Sequence, residues 1–363
     1  RKVIARELGR DDFAVLINTH EHGDHPTGNI VYADCTIVGH DLLAEGMKSN
    51  LEWRDRSIEW RTGRATEIEE ELATLEPGAE GYAALKEQQV WNRLNLEALE
   101  ANEKQAYPTK TFSDHKVLKM GDTKVEMYYI GGMHSSSDIA ILVPKHGLLM
   151  TGDTMADVWL TETAGCLASF VARDGVKHDF PLLLKNWHTL QKRHDDYAVL
   201  LPGHWNGTLS YDGFAKRVDY VETMWVAAEK AADDDMKLDD FMAANQFADR
   251  FPELVDSPGC NAGNHYTTMV QMYSETTGME SAAVALYELI NEGAGEDEIR
   301  KVVAQSGAAD ADYFFEEYQI NGYGYRFVHF EKWDQAEQLF RINVALYPES
   351  WNVYDSLGEA LYA

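Results

Sequence analysis

Residues 20–25 read His-Glu-His-Gly-Asp-His, placing three imidazoles and two carboxylates within six consecutive positions. Core packing has little use for such density, because each buried ring nitrogen needs a partner. Neutral imidazole and carboxylate are the donors that zinc and other divalent first-row ions take. A tight loop lets side chains two apart converge on one ion while Asp24 and His25 reach a neighbour, so the stretch suits one metal or two. Three later places continue the chemistry: Gly131-Gly132-Met133-His134, Thr151-Gly152-Asp153 and Leu201-Pro202-Gly203-His204 each follow a short apolar run. A sheet fans its strand ends onto one rim, so ligands distant in sequence can meet there.

The elements that must position these residues follow from the hydrophobic pattern. Phe13 to Asn18 reads as a buried strand delivering its end at His20, with a helix over residues 1–8 before it. Residues 41–106 turn charged and helical. Ile58, Ala65, Ile68, Leu72 and Leu75 mark the inner face of one helix closed by Pro77-Gly78, and Trp91, Leu94, Ala98 and Ala101 that of a second. From Lys116 to Gly152 the text switches to short strands, then a helix over 181–193 and a strand over 197–201. Residues 214–232, 239–250, 264–274, 280–291 and 296–305 each read as one helix. In the tail, Ile320, Tyr323, Gly324, Phe327, Ala336, Phe340 and Pro348 match one tetratricopeptide unit, and Tyr354, Leu357, Gly358 and Leu361 restart the frame after about 34 residues. The organisation read is a metal-binding domain over 1–210 with a helical insertion at 41–106, a helical region over 211–316, and a truncated repeat over 317–363.

The ordered set HxHxDH, strand-ending His, Gly-Asp and final Gly-His resembles the metallo-β-lactamase superfamily over about residues 1–210. That resemblance implies an αβ/βα sandwich, an α/β fold, followed here by an all-α region. It implies His20, His22 and His134 at a first metal position, Asp24, His25 and His204 at a second, and Asp153 bridging both. Two departures stand out: only 19 residues precede His20, so the family's leading strands are expected to be absent, and the 41–106 insertion is long enough to be a lid. His22 stands where a di-iron oxygen reductase of the superfamily carries Glu. Asp153 stands where familiar β-lactamases put Cys or Ser, whereas lactonases, thioesterases and phosphodiesterases of the fold use Asp.

The activity implied is that of a metallo-hydrolase with two divalent ions, zinc first and iron or manganese as alternatives, whose metal-bound hydroxide attacks a small ester, lactone, thioester or amide. Asp24 is the candidate catalytic residue, binding one metal and accepting the proton. The alternatives are a mononuclear iron oxygenase of persulfide dioxygenase type, a β-lactamase-like amide hydrolase, and a scaffold in which the tail does the work. No GxSxG elbow is present, so a serine triad is disfavoured, and Ser135-Ser136-Ser137 read as capping or ligand-supporting hydroxyls.

Acids outnumber bases 61 to 32, and the resulting charge of -29 repels polyphosphate, so nucleic acid is not an expected partner. No apolar run approaches the ~18 residues a membrane span needs. Cys35, Cys166 and Cys260 form no disulfide framework or metal clip. The partners expected are a small-molecule substrate and, through the tail, a protein or a second copy of the chain. Arg1 in first place leaves the compartment undecided. His40, His115, His146, His178, His188, His194, His265 and His329 lie outside the cluster and read as surface or capping residues, with His178 weighted slightly more. Trp53 and Trp60 are expected to wall the pocket, and Trp159, Trp205 and Asn206 to line it or to belong to the core.

Overall fold

The computed structural model describes residues 1–79, 81–101, 104–155, 178–204, 208–252, 255, 262–308 and 311–362. Trp159, Cys166, Trp205, Asn206 and Cys260 lie outside them, as does the Trp53 side chain. Contacts divide the chain into two compact units, Arg1–Val218 with a short later piece, and Asp219–Val255 with Asn261–Ala363.

The first unit begins with α1 (Lys2–Leu8), β1 (Val15–Ile17), a 3-10 turn over Thr27–Tyr32, and β2 (Thr36–His40). A helical hairpin follows, α2 (Leu43–Thr74) and α3 (Tyr82–Ala101), and then β3 (Lys110–Phe112). β1, β2 and β3 form a parallel sheet in that order. Parallel neighbours need a crossover, and the hairpin lies within the connection from β2 to β3. Neither β2 nor β3 announces itself in the sequence, since each is short and mixes polar with apolar residues. The second sheet runs β4 (His115–Met120), β5 (Thr123–Tyr129), β6 (Ile139–Val143), β7 (Leu148–Gly152) and, after α4 (Phe180–Gln191), β8 (Val199–Pro202). Its pairings are antiparallel except β7 with β8.

Side chains alternate faces along each strand, and the alternation here defines layers. Val15, Ile17, Val38 and Phe112 of the first sheet share one core with Val125, Met127, Ile139, Ile141 and Val143 of the second. The opposite faces carry helices. Gly39 lies so close to Leu43 of α2 that a Cβ there would fall 2.2 Å from its Cδ2, and Asn186 of α4 donates to the Tyr129 carbonyl at 2.6 Å. The unit is therefore an αβ/βα sandwich.

Two helix readings need correction. In α3 the residues Trp91 and Leu94 face solvent, 62% and 46% exposed, and Ala98 and Ala101 are exposed with them. The inner face is instead Leu85, Asn92, Leu96 and Leu99. Asn92 fixes that rotation, because its buried amide donates to the Arg61 carbonyl of α2 at 2.8 Å, a bond that hydrophobic periodicity does not reveal. Trp60 is 62% exposed, with the Arg61 guanidinium 5.5 Å from its ring centroid. Secondly, α2 ends at Thr74 rather than running to the Pro77-Gly78 turn, and Leu75 is already extended.

The division between the units falls within α5 (Tyr211–Asp233). The second unit continues with α6 (Leu238–Ala244), α7 (Phe247–Arg250), α8 (Ala262–Thr277), β9 (Glu280–Ser281), α9 (Ala282–Glu292), α10 (Glu296–Val303), β10 (Tyr313–Phe314), α11 (Glu317–His329), α12 (Trp333–Leu346) and α13 (Trp351–Tyr362). Residues 239–250 thus form two helices: Asn245 leaves helical geometry and its side chain donates back to the Phe241 carbonyl at 2.9 Å, breaking the run. Ile320, Phe327, Ala336, Leu339 and Phe340 are buried in one cluster with Leu286 and Ile290. Gly324 is where α11 and α12 meet, since a Cβ there would lie 2.2 Å from the Phe340 ring.

Candidate metal centre

All seven residues expected to hold metal come together at the carboxyl ends of strands. His20, His22, Asp24 and His25 lie on the loop after β1, His134 after β5, Asp153 after β7 and His204 after β8. Antiparallel pairing of β5 with β6 and of β6 with β7 makes β5 and β7 point the same way, and β8 is parallel to β7, so these three strands end on one rim. Three ligand groups have donor atoms within 4.8 Å of one another and could hold a metal: His20, His22 and His134; His20, His25 and Asp153; Asp24, His25 and His204.

Asp153 is the centre of the arrangement. Its Oδ2 lies 3.6 Å from His20 Nε2, 3.3 Å from His25 Nε2, 3.3 Å from His134 Nε2 and 3.1 Å from His204 Nε2. His22 Nδ1 meets His134 Nε2 at 2.8 Å, and Asp24 Oδ2 lies 2.9 Å from His204 Nε2. The register of β7 slips between Met150 and Gly152, just where a strand must turn its next side chain onto the rim. The floor is deep and the outer side open: His20 and Asp153 side chains are 0% and 4% exposed, those of His204 and Asp24 44% and 56%.

The loop bearing four of the candidate ligands is tied at both ends. Asn18 and Asn29 exchange side-chain amide hydrogen bonds at 2.9 and 2.8 Å, Asn29 also donates to the Ala106 carbonyl at 3.0 Å, and the Asn18 backbone N–H donates to Val38 at 3.0 Å. The His134 loop is tied differently. Gly131 and Gly132 have φ of 94° and 63°, a left-handed pair that admits a turn other residues resist. After it, Met133, His134 and Ser135 donate their backbone N–H groups to Asp138 Oδ2 at 2.8, 2.5 and 2.8 Å. Burial pushes the Asp138 carboxyl up to about 7, against the pull of the Ser135 donors and the His134 amide. Glu21 accepts from Ser136 and Ser137, and these hydrogen bonds outweigh burial and lower its pKa.

Sequence reasoning missed Asn18, Glu21, Asn29 and Asp138. The available signal was the run Ser135-Ser136-Ser137-Asp138, a density of donors beside an acid that calls for a second acid. His178 is buried and stacks on Phe180 at 5.7 Å between ring centroids, but joins none of the three ligand groups.

Charge in the centre fits a cation. Burial and the neighbouring His25 drop the His20 pKa to about 3, so that imidazole is neutral and ready to ligate. Among the described residues its buried Nε2 has no hydrogen-bond partner, and neither does Asp153 Oδ1. Burial alone would lower His25, but hydrogen bonds to Asp153 and Asp24 overcome it and raise the pKa to about 9. In the metal-free protein that raised pKa contributes stability fully present below ~6.5, the unfolded value, and lost as pH climbs through about 9. An incoming ion must displace this proton. Metal uptake at pH 7 is therefore expected to release about one proton per chain, read calorimetrically in buffers of different ionisation enthalpy. Release that persists unchanged in His25→Ala would assign the proton elsewhere.

No protein-family model matches this chain, and no curated relative matches it by sequence. Among solved structures it is similar to a metallo-β-lactamase from Pontibacter korlensis, with TM-score 0.35 and 15% identity over 61% of this chain and 74% of that one. It is also similar to a stereoselective inverting sec-alkylsulfatase from Pseudomonas sp., with TM-score 0.49 and 12% identity over 99% of this chain but 54% of that one, about half its length.

Proposed function

We propose that this protein is a metal-dependent hydrolase with two divalent ions, zinc in the first instance. The observation that carries the reading is the position of Asp153 Oδ2, within 3.1–3.6 Å of four imidazole nitrogens drawn from both triads. A buried carboxylate oxygen facing four imidazoles, with His20 Nε2 unpartnered among the described residues beside it, is the donor set of a cation site rather than of a packed core. His20, His22 and His134 would hold one ion, Asp24, His25 and His204 the other, and Asp153 both. Ions so held supply Lewis acidity and bring the pKa of coordinated water toward neutrality. The residues do the rest. In the metal-free protein hydrogen bonding from His25 keeps Asp24 well below the usual carboxylate range, so on the exposed side of the centre it is ionised, able to ligate an ion and to orient water by accepting its hydrogen bond. His204, exposed beside it, leaves that side open to substrate.

Substrates are assigned as small neutral or singly charged esters, lactones and thioesters, because a chain of net charge -29 works against multiply charged anions. Contacts with a protein partner or a second copy are assigned to the C-terminal helices on their tetratricopeptide-like spacing alone.

Elemental analysis of protein purified without added ions tests the metal reading, with about two zinc per chain expected from seven ligands. One iron per chain would favour the oxygenase alternative instead. A panel of lactones, aryl esters, thioesters, β-lactams, a secondary alkyl sulfate and a phosphodiester tests the substrate class. Turnover is expected on the first three and almost none on the phosphodiester. Faster turnover of the sulfate or the phosphodiester than of any carbonyl ester would overturn the substrate class and leave the metal reading standing.

A further inference from the structure

We propose that Glu21 is a positioning residue that locks His134 against His22 and so sets the affinity of the first ion position; the inference rests on the di-metal reading above. Glu21 stands between two candidate ligands yet spends its carboxylate elsewhere. Oε1 accepts from the Ser136 amide at 2.8 Å and the Ser136 hydroxyl at 2.6 Å, and Oε2 accepts from the Ser137 amide at 3.2 Å and the Ser137 hydroxyl. Asp138 takes the amides of residues 133–135. Five consecutive backbone N–H groups, 133 to 137, therefore end on two buried carboxylates, one inside the loop and one from the His-rich motif 115 residues away.

That division of labour gives Glu21 a specific role. Asp138 shapes the His134 loop locally, whereas Glu21 joins the loop to the segment carrying His20 and His22. The fold keeps room for it: a Cβ on Gly46 of α2 would fall 2.3 Å from Glu21 Cγ. A buried carboxylate held only for its shape would be replaced well by Gln. Here Gln must place an amide NH2 against a serine backbone N–H, and a backbone donor cannot turn round to accept, although a hydroxyl can. Glu21→Gln thus opposes the brace while conserving volume. Glu21→Asp keeps the charge but is one methylene shorter and falls short of the serines.

The test uses the full chain and graded dialysis against a chelator, with zinc and cobalt(II) as probes and thermal unfolding of the metal-free protein measured alongside. Glu21→Gln and Glu21→Asp are expected to weaken one of the two ions by roughly 10- to 100-fold, the range for residues that orient metal ligands, with the other ion unchanged. Ser136→Ala combined with Ser137→Ala should weaken it less, since the amides remain, and serves if a Glu21 variant does not fold. In a His22→Ala background, where the first position is already crippled, adding Glu21→Gln should change ion binding little. Wild-type affinity for both ions in Glu21→Gln overturns the proposal. So does an equal weakening of both together with a lower unfolding temperature, which marks general damage. A wild-type chain that binds no ion overturns the di-metal reading and this inference with it, whereas two ions in the wild type and in Glu21→Gln alike overturn this inference alone.

Discussion

On the di-metal hydrolase reading proposed above, Asp153→Ala is expected to abolish stable binding of both ions and to lower hydrolysis by about 10³-fold or more. The size follows from what the carboxylate faces. Its Oδ2 lies within 3.6 Å of imidazoles from both triads, so one substitution removes a donor from each ion position at once. Charge stabilisation by a correctly held ion is worth several kcal/mol, and each ~1.4 kcal/mol is about tenfold in rate. The loss has a second origin, in electrostatics. Removing a buried anion from among four histidines also removes one of the two carboxylates that raise the His25 pKa, so the His25 titration should move down from about 9. Metal content, rate and the His25 titration, the last by NMR on metal-free protein, check the three parts separately. His178→Ala is the matched control: it is buried and in the same unit, but stacks on Phe180 and belongs to no ligand group, so less than about a tenfold loss is expected. Equal losses in the two variants would show that His178 has a part in the centre.

How much of this centre could be read from the sequence depended on whether the information was local. Ligand density in His20–His25 is visible without any fold, and His134, Asp153 and His204 could be added because each follows an apolar run that ends in Gly or Pro-Gly. Strand ends on a common rim are the one step that the fold then has to supply, and it does so through the parallel relation of β5, β7 and β8. Residues acting through pairing across the chain were not legible. Glu21 looks like a spacer in HxHxDH until Ser136 and Ser137 are found opposite it, and Asn18 looks like the end of a strand until Asn29 meets it. The rotation of α3 was misjudged for the same reason: Trp91 and Leu94 are the apolar choice for an inner face, and a single hydrogen-bonded amide, Asn92, turned them to solvent. β2 and β3 escaped notice because a three- or five-residue strand with polar members carries almost no periodic signal, and its pairing partners lie far away in the chain.

Gly203→Ala is expected to disable the centre nearly as completely as Asp153→Ala, although it replaces no candidate ligand and adds only one methyl group. The reason is a contact that no ordinary Cβ can make. A methyl built on Gly203 would fall 1.8 Å from Asp153 Oδ1 and 3.1 Å from the Gly152 carbonyl carbon. The backbone there is itself pinned, since the Gly203 N–H donates to the Gly152 carbonyl at 3.0 Å. Something must move by more than an ångström, and both candidates carry ligands: either the Asp153 carboxylate swings away from its four imidazoles, or the segment bearing His204 lifts off β7. Overpacking of this kind costs about 1–3 kcal/mol in stability, which leaves a folded protein whose metal content and rate can be measured. Gly28→Ala supplies the comparison, because Gly28 follows His25 closely in the chain, yet nothing lies within 4 Å of a Cβ there. It should keep wild-type metal content and activity to within a few-fold, as surface substitutions away from special features do, at about ±0.5 kcal/mol. Full metal occupancy and rate in Gly203→Ala would mean that the rim absorbs the displacement without moving a ligand, and that the closeness of Gly203 to Asp153 is not what holds the carboxylate in place.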